Sequence, residues 1–287
     1  MTESLNQCHR RARLLLAAGV AVALLSSGCG VRVPGERDGP GVHRDVSDVP
    51  DAVPRIEPRS RGGNMPTYVV LGKRYHTLPS SKGFIERGIA SWYGTKFHGR
   101  KTSNGETYDM YAMSAAHTRL PLPTYARVTN LENGRQVVVR VNDRGPFHEN
   151  RIIDLSYAAA SRIGMLGKGT ALVEIRAIDP STPQQPSPKT RVAKAGSHPG
   201  PVVTRSVRTT PRIFLQAGAF NSSGNAQRLR KRLEEGLARP VRVIAAESGS
   251  GQVHRVQVGP LGSVEIADQI TANMHHLGVR EPLVVID

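Results

Sequence analysis

Cysteine is almost absent from this chain of 287 residues, which contains only Cys8 and Cys29. Both lie near the N-terminus, so no thiol remains in the rest of the chain. This absence excludes a disulfide framework, a zinc site built on thiolates and a cysteine nucleophile from the part that folds. The domains must therefore be stabilised by ordinary hydrophobic cores.

Long hydrophobic runs are also missing. The apolar run from Leu14 to Leu25 has about a dozen residues, whereas a membrane-spanning helix needs ~20. Three arginines precede this run and small residues follow it, which predicts a signal peptide over residues 1–28. The small residues before Cys29 resemble a bacterial lipobox, which implies cleavage before Cys29 and acylation, including palmitate. The alternative is an ordinary signal peptide with an incidental cysteine.

The residue that follows Cys29 is Gly30 and not an aspartate. By resemblance to sorted lipoproteins, this implies anchoring to the inner leaflet of the outer membrane. The folded part would then face the periplasm.

Several motifs of common enzyme classes are missing as well. There is no phosphate-cradling glycine loop and no Gly-x-Ser-x-Gly elbow. His98 and His117 are too loosely spaced, without clustered partners, to indicate a metal site. We therefore expect neither a metal nor a cofactor.

Acidic residues are few, with 23 Asp and Glu against 39 Lys and Arg and a net charge of +16. A balance this basic indicates a polyanionic partner. Export argues against nucleic acid, and much of the excess lies in linkers, where a solvated tail is the simpler interpretation. The remainder suits a net-anionic cell wall.

Proline-rich stretches divide the chain. Residues 29–65 and 180–211 are rich in proline and polar residues and show neither a helical nor a strand period. Such segments bury too little apolar surface to offset the entropy of ordering. We predict a flexible tether after the lipid anchor, a disordered linker further on, and folded domains at 66–179 and 212–287.

The first domain is predicted to be mainly β. Two candidate strands, Tyr125–Leu131 and Arg135–Val141, flank Asn133-Gly134, a dipeptide that favours a type I′ hairpin turn. A short helix is expected from Ser156 to Ile163, opened by Asp154 or Ser156 and ended at Gly164. Short strands, many glycines and one small helix favour a compact barrel.

The second domain carries an internal repeat. A shift of 41 residues superimposes seven positions of similar character. The shift places Gln216 on Gln257, Gly218 on Gly259, Phe220 on Leu261, Ser222 on Ser263, Ala226 on Ala267, Leu229 on Ile270 and Leu233 on Met274. Two βαβ halves with Ser-capped amphipathic helices predict a ferredoxin-like α+β sheet backed by two helices. RNA-binding modules share this fold class, but the paired aromatics of their central strands are missing.

A dense group of motifs lies between Ala90 and Ser156. They read Ala90-Ser91-Trp92-Tyr93-Gly94, Phe97-His98-Gly99, Ser103-Asn104-Gly105-Glu106, Ala115-Ala116-His117, Asn142-Asp143-Arg144-Gly145-Pro146-Phe147 and Ile152-Ile153-Asp154-Leu155-Ser156. Together they closely resemble the rare lipoprotein A family of septal-ring lytic transglycosylases, which implies a six-stranded double-psi β-barrel. The glutamine–glycine signatures of the second domain resemble a SPOR (sporulation-related repeat) domain, which implies binding to peptidoglycan strands stripped of stem peptides.

The resemblance implies that Asp143 is the catalytic carboxyl and that Glu106 and His117 occupy the family's other functional positions. The muramic acid C6 hydroxyl attacks within the sugar in this reaction, so one carboxyl that first gives and then takes a proton can suffice. From the residues themselves, we expect Glu106 to raise the pKa of Asp143 by like-charge repulsion and His117 to position a carboxyl or a substrate oxygen. The alternatives are a turn-capping Asp143, a solvated Glu106 and a surface His117.

Four more residues of the first domain are candidates. Trp92 and Tyr93 are expected either to stack on sugar rings or to belong to the core. Arg144 either pairs with a substrate carboxylate or locks Asp143. Asp154 is expected to be structural, near the start of the helix.

In the second domain, three polar residues are candidates for glycan contact, namely Gln216, Arg255 and Gln257. Polar side chains on an exposed sheet face suit sugar hydroxyls. An ordinary wet sheet face is the alternative.

These observations predict a periplasmic, outer-membrane-anchored endolytic lytic transglycosylase. It would cut the MurNAc-GlcNAc β-1,4 bond of denuded strands, leave 1,6-anhydro ends, and act at the division septum beside division-site proteins. Two alternatives from other classes stay open, a non-catalytic expansin-like glycan binder and a divisome scaffold whose barrel binds a protein.

Overall fold

The computed structural model of the chain describes residues 38–41, 44–182, 211–249 and 251–287. The predicted signal peptide with Cys29, and nearly all of the predicted disordered linker, lie outside these residues. In the part of the chain that is described, no helix has the length and apolar character needed to span a membrane.

The first domain is a closed barrel preceded by a small hairpin. The hairpin pairs β1 (Thr67–Val70) with β2 (Lys73–His76). The barrel strands are β3 (Ile85–Tyr93), β4 (Ser114–His117), β5 (Thr124–Asn130), β6 (Gln136–Asp143), β7 (Arg151–Ser156) and β8 (Ala171–Ile178). Helix α1 (Tyr157–Arg162) directly follows β7.

The order of strands around the barrel is β3-β7-β4-β6-β5-β8. The pairs β3/β7 and β4/β6 are parallel, and the other neighbours are antiparallel. The predicted six-stranded barrel is confirmed. Because β4 and β6 run in the same direction, their C-terminal residues, His117 and Asp143, lie at the same edge of the barrel.

The turn between β5 and β6 differs from the prediction. A type I′ turn needs positive φ at both central residues, but only Gly134 of the pair has it, at 75°. The Asn133 side chain donates to the Ile163 carbonyl at 2.9 Å and accepts from the Arg135 amide at 2.8 Å. A contact with the end of α1 therefore shapes this turn, and local sequence does not reveal such a contact.

Residues 44–65 contain no helix or strand, but they pack against the barrel. Val46 is buried in the barrel's hydrophobic cluster. Glu57 accepts a hydrogen bond from the Tyr125 hydroxyl at 2.5 Å and forms an ion pair with Arg140 at 2.8 Å. The predicted flexible tether is therefore wrong for these residues, because specific barrel side chains hold a segment whose composition alone favours disorder.

The second domain has the predicted ferredoxin-like fold. Its elements are β9 (Ile213–Phe220), α2 (Ser223–Leu237), β10 (Val241–Ser248), β11 (Gly251–Leu261), α3 (Val264–His276) and β12 (Leu283–Ile286). The sheet order is β10-β11-β9-β12, and all pairs are antiparallel. The internal repeat is visible in the helix starts, because Ser222 caps α2 and Ser263 caps α3 with their side-chain oxygens.

The second domain contacts the barrel through α3. Asp268 accepts hydrogen bonds from Arg151 at 2.7 and 3.2 Å and from the Asn150 side chain at 2.9 Å. Asn150 also bonds the Thr271 hydroxyl at 2.9 Å. The docking contacts therefore fall at the start of β7, close in sequence to Asp143.

We expect Glu57→Ala to lower the free energy of unfolding by about 2 kcal/mol, since hydrogen bonds to charged groups each contribute about 1.5–3 kcal/mol. Arg140 holds the pKa of Glu57 at about 2, against 4.5 for a free glutamate. A carboxyl with a lowered pKa stabilises the fold fully above its unfolded pKa and loses this contribution as the pH falls through the folded pKa. The difference between wild type and variant should therefore shrink between pH 4.5 and about 2.

Urea unfolding of a soluble form that begins after Cys29 measures this effect. The matched control is Glu132→Ala, because Glu132 pairs with the exposed Lys168 at 3.1 Å and surface pairs contribute about 0–1 kcal/mol. Equal unfolding midpoints for Glu57→Ala and wild type at neutral pH would show that the N-terminal segment is not anchored through Glu57.

Candidate active site

Asp143 is the last residue of β6 and is partly exposed at the barrel edge. Its Oδ1 accepts three hydrogen bonds, from the Ser103 amide at 2.7 Å, the Ser103 hydroxyl at 2.5 Å and the Arg144 amide at 2.7 Å. Among the described residues, no donor bonds to Oδ2. The carboxyl is thus fixed through one oxygen while the other stays available for proton exchange with a substrate.

A tight loop, residues 101–107, carries Ser103. The Thr102 amide donates to the Glu106 carbonyl at 2.9 Å, and the Asn104 side chain accepts from the Glu106 amide at 3.1 Å. Gly105 has a φ of 93°, a conformation that glycine adopts without steric cost. The Ser-Asn-Gly-Glu motif therefore forms a loop in which Ser103 holds Asp143 and Glu106 reaches β6.

The charge of Glu106 is compensated by side chains of β6. Its carboxylate accepts from Arg140 Nη1 at 2.8 and 2.9 Å and from Asn142 Nδ2 at 2.9 Å. Burial favours a raised pKa, but the bonds from Arg140 and Asn142 outweigh it, and the pKa of Glu106 is lowered. The charge expected to repel Asp143 is therefore compensated by Arg140.

His117 is buried, which corrects the alternative of a surface histidine. Its Nδ1 accepts from the Arg119 and Leu120 amides, both at 3.0 Å, so the ring proton of the neutral form lies on Nε2. Nε2 lies 3.3 Å from Glu86 Oε2. Burial lowers the pKa of His117 although the Glu86 hydrogen bond raises it. The carboxyl beside His117 is thus Glu86, and both ring nitrogens are occupied by the protein.

Arg144 is buried and holds three backbone carbonyls. It donates to Gly63 at 2.7 Å, His117 at 2.9 Å and Leu120 at 2.6 Å. The guanidinium is therefore unavailable to a substrate carboxylate, and that prediction is wrong. The Arg144 guanidinium bonds these carbonyls and not the Asp143 side chain. It therefore fixes the backbone next to Asp143.

The two predicted sugar-stacking aromatics belong to the barrel. Tyr93 is buried and stacks on Tyr108, with ring centroids 4.0 Å apart, so its stacking on a sugar is ruled out. Trp92 is partly buried and meets Tyr157 edge-on at 6.0 Å. The alternative of a core position applies to Tyr93, because its ring lies on the inner side of β3.

Asp154 lies within β7 and does not cap the helix. Ser156 is the cap of α1, since its hydroxyl accepts from the Ala159 amide at 3.2 Å. Asp154 instead accepts from the Ser91 hydroxyl at 2.5 Å. Burial raises its pKa despite this hydrogen bond.

In the second domain, the repeated glutamines are directly opposite each other on β9 and β11. Gln257 is buried and accepts from Arg242 Nε at 3.0 Å, so its predicted contact with glycan is wrong. The arginine stacks over Phe214 and covers the glutamine. Arg255 is exposed and Gln216 is partly exposed, and their glycan contact stays a prediction.

Sequence reasoning missed three residues that organise the site, namely Ser103, Arg140 and Asn142. A signal for two of them was present, because Arg140 and Asn142 are polar at alternate positions of a valine-rich strand that leads to Asp143. Ser103 belongs to the motif that ends in Glu106, but nothing local indicates that it binds Asp143.

Comparison with known proteins gives two family matches. Residues 85–175 match the family described as lytic transglycolase, and residues 209–282 match the SPOR domain. The solved structure of the RlpA SPOR domain from Pseudomonas aeruginosa is similar to 25% of this chain and 96% of its own, at 27% identity and a TM-score of 0.25.

Two curated relatives are both described as endolytic peptidoglycan transglycosylase RlpA. The Pseudomonas aeruginosa protein is 36% identical over 96% of this chain and 98% of its own length. The Vibrio cholerae protein is 51% identical over 59% of this chain and 66% of its own length. The resemblance inferred from the motifs is thereby confirmed, and the chain belongs to the rare lipoprotein A (RlpA) family of endolytic peptidoglycan transglycosylases.

Proposed function

We propose that this chain cleaves the MurNAc-GlcNAc β-1,4 bond of peptidoglycan strands that lack stem peptides, and that it leaves 1,6-anhydro-MurNAc ends. The observation that carries the proposal is the Asp143 carboxyl, which is held through Oδ1 at the barrel edge and is free at Oδ2. A fixed, accessible carboxyl is the group that glycosidic bond cleavage needs.

The reaction needs one proton at the leaving oxygen and one base for the attacking hydroxyl. When the bond from MurNAc C1 to GlcNAc O4 breaks, both electrons stay on O4, which takes a proton. The C6 hydroxyl of the same MurNAc then bonds to C1 and releases its proton. No water is consumed, so the proton count balances when a carboxyl gives one proton and a carboxylate takes one. In this proposal Asp143 exchanges protons with the substrate.

Glu106 and His117 act as positioning residues in this proposal. Glu106 joins the Ser103 loop to β6 through Arg140 and Asn142, and this loop holds Asp143. The carbonyl of His117 is held by Arg144, the neighbour of Asp143, while its ring is held by Glu86. Errors of about 1 Å at a catalytic group can cost about 100-fold in rate, so such supports matter.

The remaining elements of the proposal concern location. Lipid attachment at Cys29 would hold the protein at the outer membrane, facing the periplasm. Glycan binding by the SPOR domain would concentrate it at the division septum, where division-site proteins are potential partners. The excess of basic residues suits the net-anionic wall.

We expect Asp143→Asn to abolish cleavage while leaving wall binding intact, because the amide keeps the shape and cannot exchange the proton. A soluble form that begins after Cys29 is incubated with intact and with amidase-stripped peptidoglycan, and released sugars are read by mass spectrometry. Wild type should release anhydro-ended fragments from the stripped wall.

Asp51→Asn serves as the matched control, since Asp51 forms a partly exposed ion pair with Arg162 at 3.4 Å. Ordinary reducing ends from wild type would indicate a hydrolase. Pelleting on the wall without any release, by wild type and variant alike, would favour an expansin-like binder. Loss of function on removal of the barrel, with no effect of Asp143→Asn, would favour a divisome scaffold.

The buried His117 predicts a pH dependence of stability. Its pKa is lowered from 6.5 in the folded chain, so the unfolded chain binds this proton more readily. The contribution to stability is therefore full above pH 6.5 and is lost as the pH falls below this value. Thermal melts across this range should show a smaller pH slope for His117→Gln than for wild type.

The control is His276→Gln, because His276 is exposed on α3. Its pH slope should match that of wild type. An unchanged slope for His117→Gln would mean that His117 titrates in the fold as freely as in the unfolded chain.

A further inference from the structure

A second aspartate lies at the same level of the barrel as Asp143. Ala116 of β4 is the register partner of Asp143 on β6 and also of Asp154 on β7. The β4/β6 register shifts between Ala115 and Ala116. Two strand spacings place the Cα atoms of Asp143 and Asp154 about 10 Å apart. Asp143 and Asp154 therefore lie on strands either side of one small residue, Ala116.

Gly145 is a second small residue near Asp154 and lies next to Ala116. A Cβ placed on Gly145 would lie 3.6 Å from the Ala116 methyl and 3.6 Å from Asp154 Oδ2. Gly145 also follows Arg144 and belongs to the loop after Asp143. Ala116 and Gly145 are thus two small residues in the region of Asp143 and Asp154.

The buried hydroxyl of Tyr93 is affected by the charges of both carboxyls. Burial is the main cause of its strongly raised pKa, and the charges of Asp143 and Asp154 both add to it. One buried hydroxyl therefore experiences both carboxylates.

We propose that Asp154 is the second carboxyl of the active site, which delivers the proton to the leaving oxygen while Asp143 takes the proton of the attacking hydroxyl. This inference rests on the proposed function. It assigns to two carboxyls the two proton transfers that Asp143 alone would otherwise perform. The C1–O4 bond breaks with its electron pair on O4, and the Asp154 proton moves to O4. The C1–O6 bond forms, and the O6 proton moves to the Asp143 carboxylate. Exchange with solvent restores both groups.

The environments of the two carboxyls suit different protonation states. Three donors converge on Asp143 Oδ1, an arrangement that a carboxylate accepts. Asp154 receives one side-chain hydrogen bond, from Ser91, and burial raises its pKa. Pairs of carboxyls in contrasting environments commonly divide the acid and base roles.

Groups from several parts of the chain act on the pKa of Asp154. Arg151 of its own strand and His148 of the preceding loop favour the charged form. Asp38 of the N-terminal segment favours the neutral form. Ser91 of β3 favours the charged form through its hydrogen bond, so its removal should raise the pKa of Asp154 further.

The test compares Asp154→Asn with wild type on amidase-stripped peptidoglycan. We expect a loss of about 100-fold or more, the scale of a general acid, with unchanged wall pelleting and melting temperature. A 4-nitrophenyl glycoside of a MurNAc-terminated glycan needs no acid at its leaving group. Asp154→Asn should therefore recover activity on this substrate, and Asp143→Asn should not. Glu132→Gln is the carboxyl control outside the site.

The Ser91→Ala variant gives a readout that a structural role would not move. The alkaline limb of its pH–rate profile should shift to higher pH, because the variant lacks the Ser91 hydrogen bond that favours ionised Asp154. A wild-type rate for Asp154→Asn, or a slower Ser91→Ala with an unmoved limb, would overturn the inference. If Asp154→Asn fails to fold, the Ser91→Ala profile decides. Failure of wild type to release anhydro ends would instead overturn the proposed function.

Discussion

The buried guanidinium of Arg144 holds together the segments on which the site depends. Its three carbonyl partners come from the N-terminal segment at Gly63 and from the end of β4 and the loop after it, at His117 and Leu120. Burying a charge is costly unless polar groups replace its hydration, and here three carbonyls and the Tyr68 ring at 5.7 Å do so. Because Asp143 precedes Arg144 in the chain, this cation determines where the neighbouring carboxyl lies.

The carboxyls of the barrel fall into two groups according to their partners. Glu57 and Glu106 share Arg140, and Glu86 is bonded to Arg119 and His117. Their charges are used to fix the loop, the N-terminal segment and the strand edges. Among the described residues, neither Asp143 nor Asp154 has a lysine or arginine within ion-pair distance. Hydroxyls and backbone amides hold these two instead.

Regular elements were predictable because their signals are local. The candidate strand Arg135–Val141 corresponds to β6, whose alternate residues Val137, Val139 and Val141 are all buried. The repeat predicted two Ser-capped helices in the second domain, and both caps are present. The motif resemblance singled out Asp143, which is the last residue of β6. Two predictions were wrong, the type I′ turn at Asn133-Gly134 and the flexible tether over residues 44–65. In both places, contacts with distant parts of the barrel override the local preference.

The roles of individual polar residues could not be predicted from local sequence signals. Glu106 looked like a free charge and Gln257 like an exposed polar side chain, yet Arg140 pairs with the first and Arg242 bonds the second. Asp154 looked like a helix cap, but the pairing of β7 with β4 places it level with Asp143. Periodicity and capping act within a few residues, so the chain alone is enough to specify its strands, helices and repeat. Partners of a carboxyl depend on the register between strands that are far apart in sequence, and that register exists only once the barrel has closed.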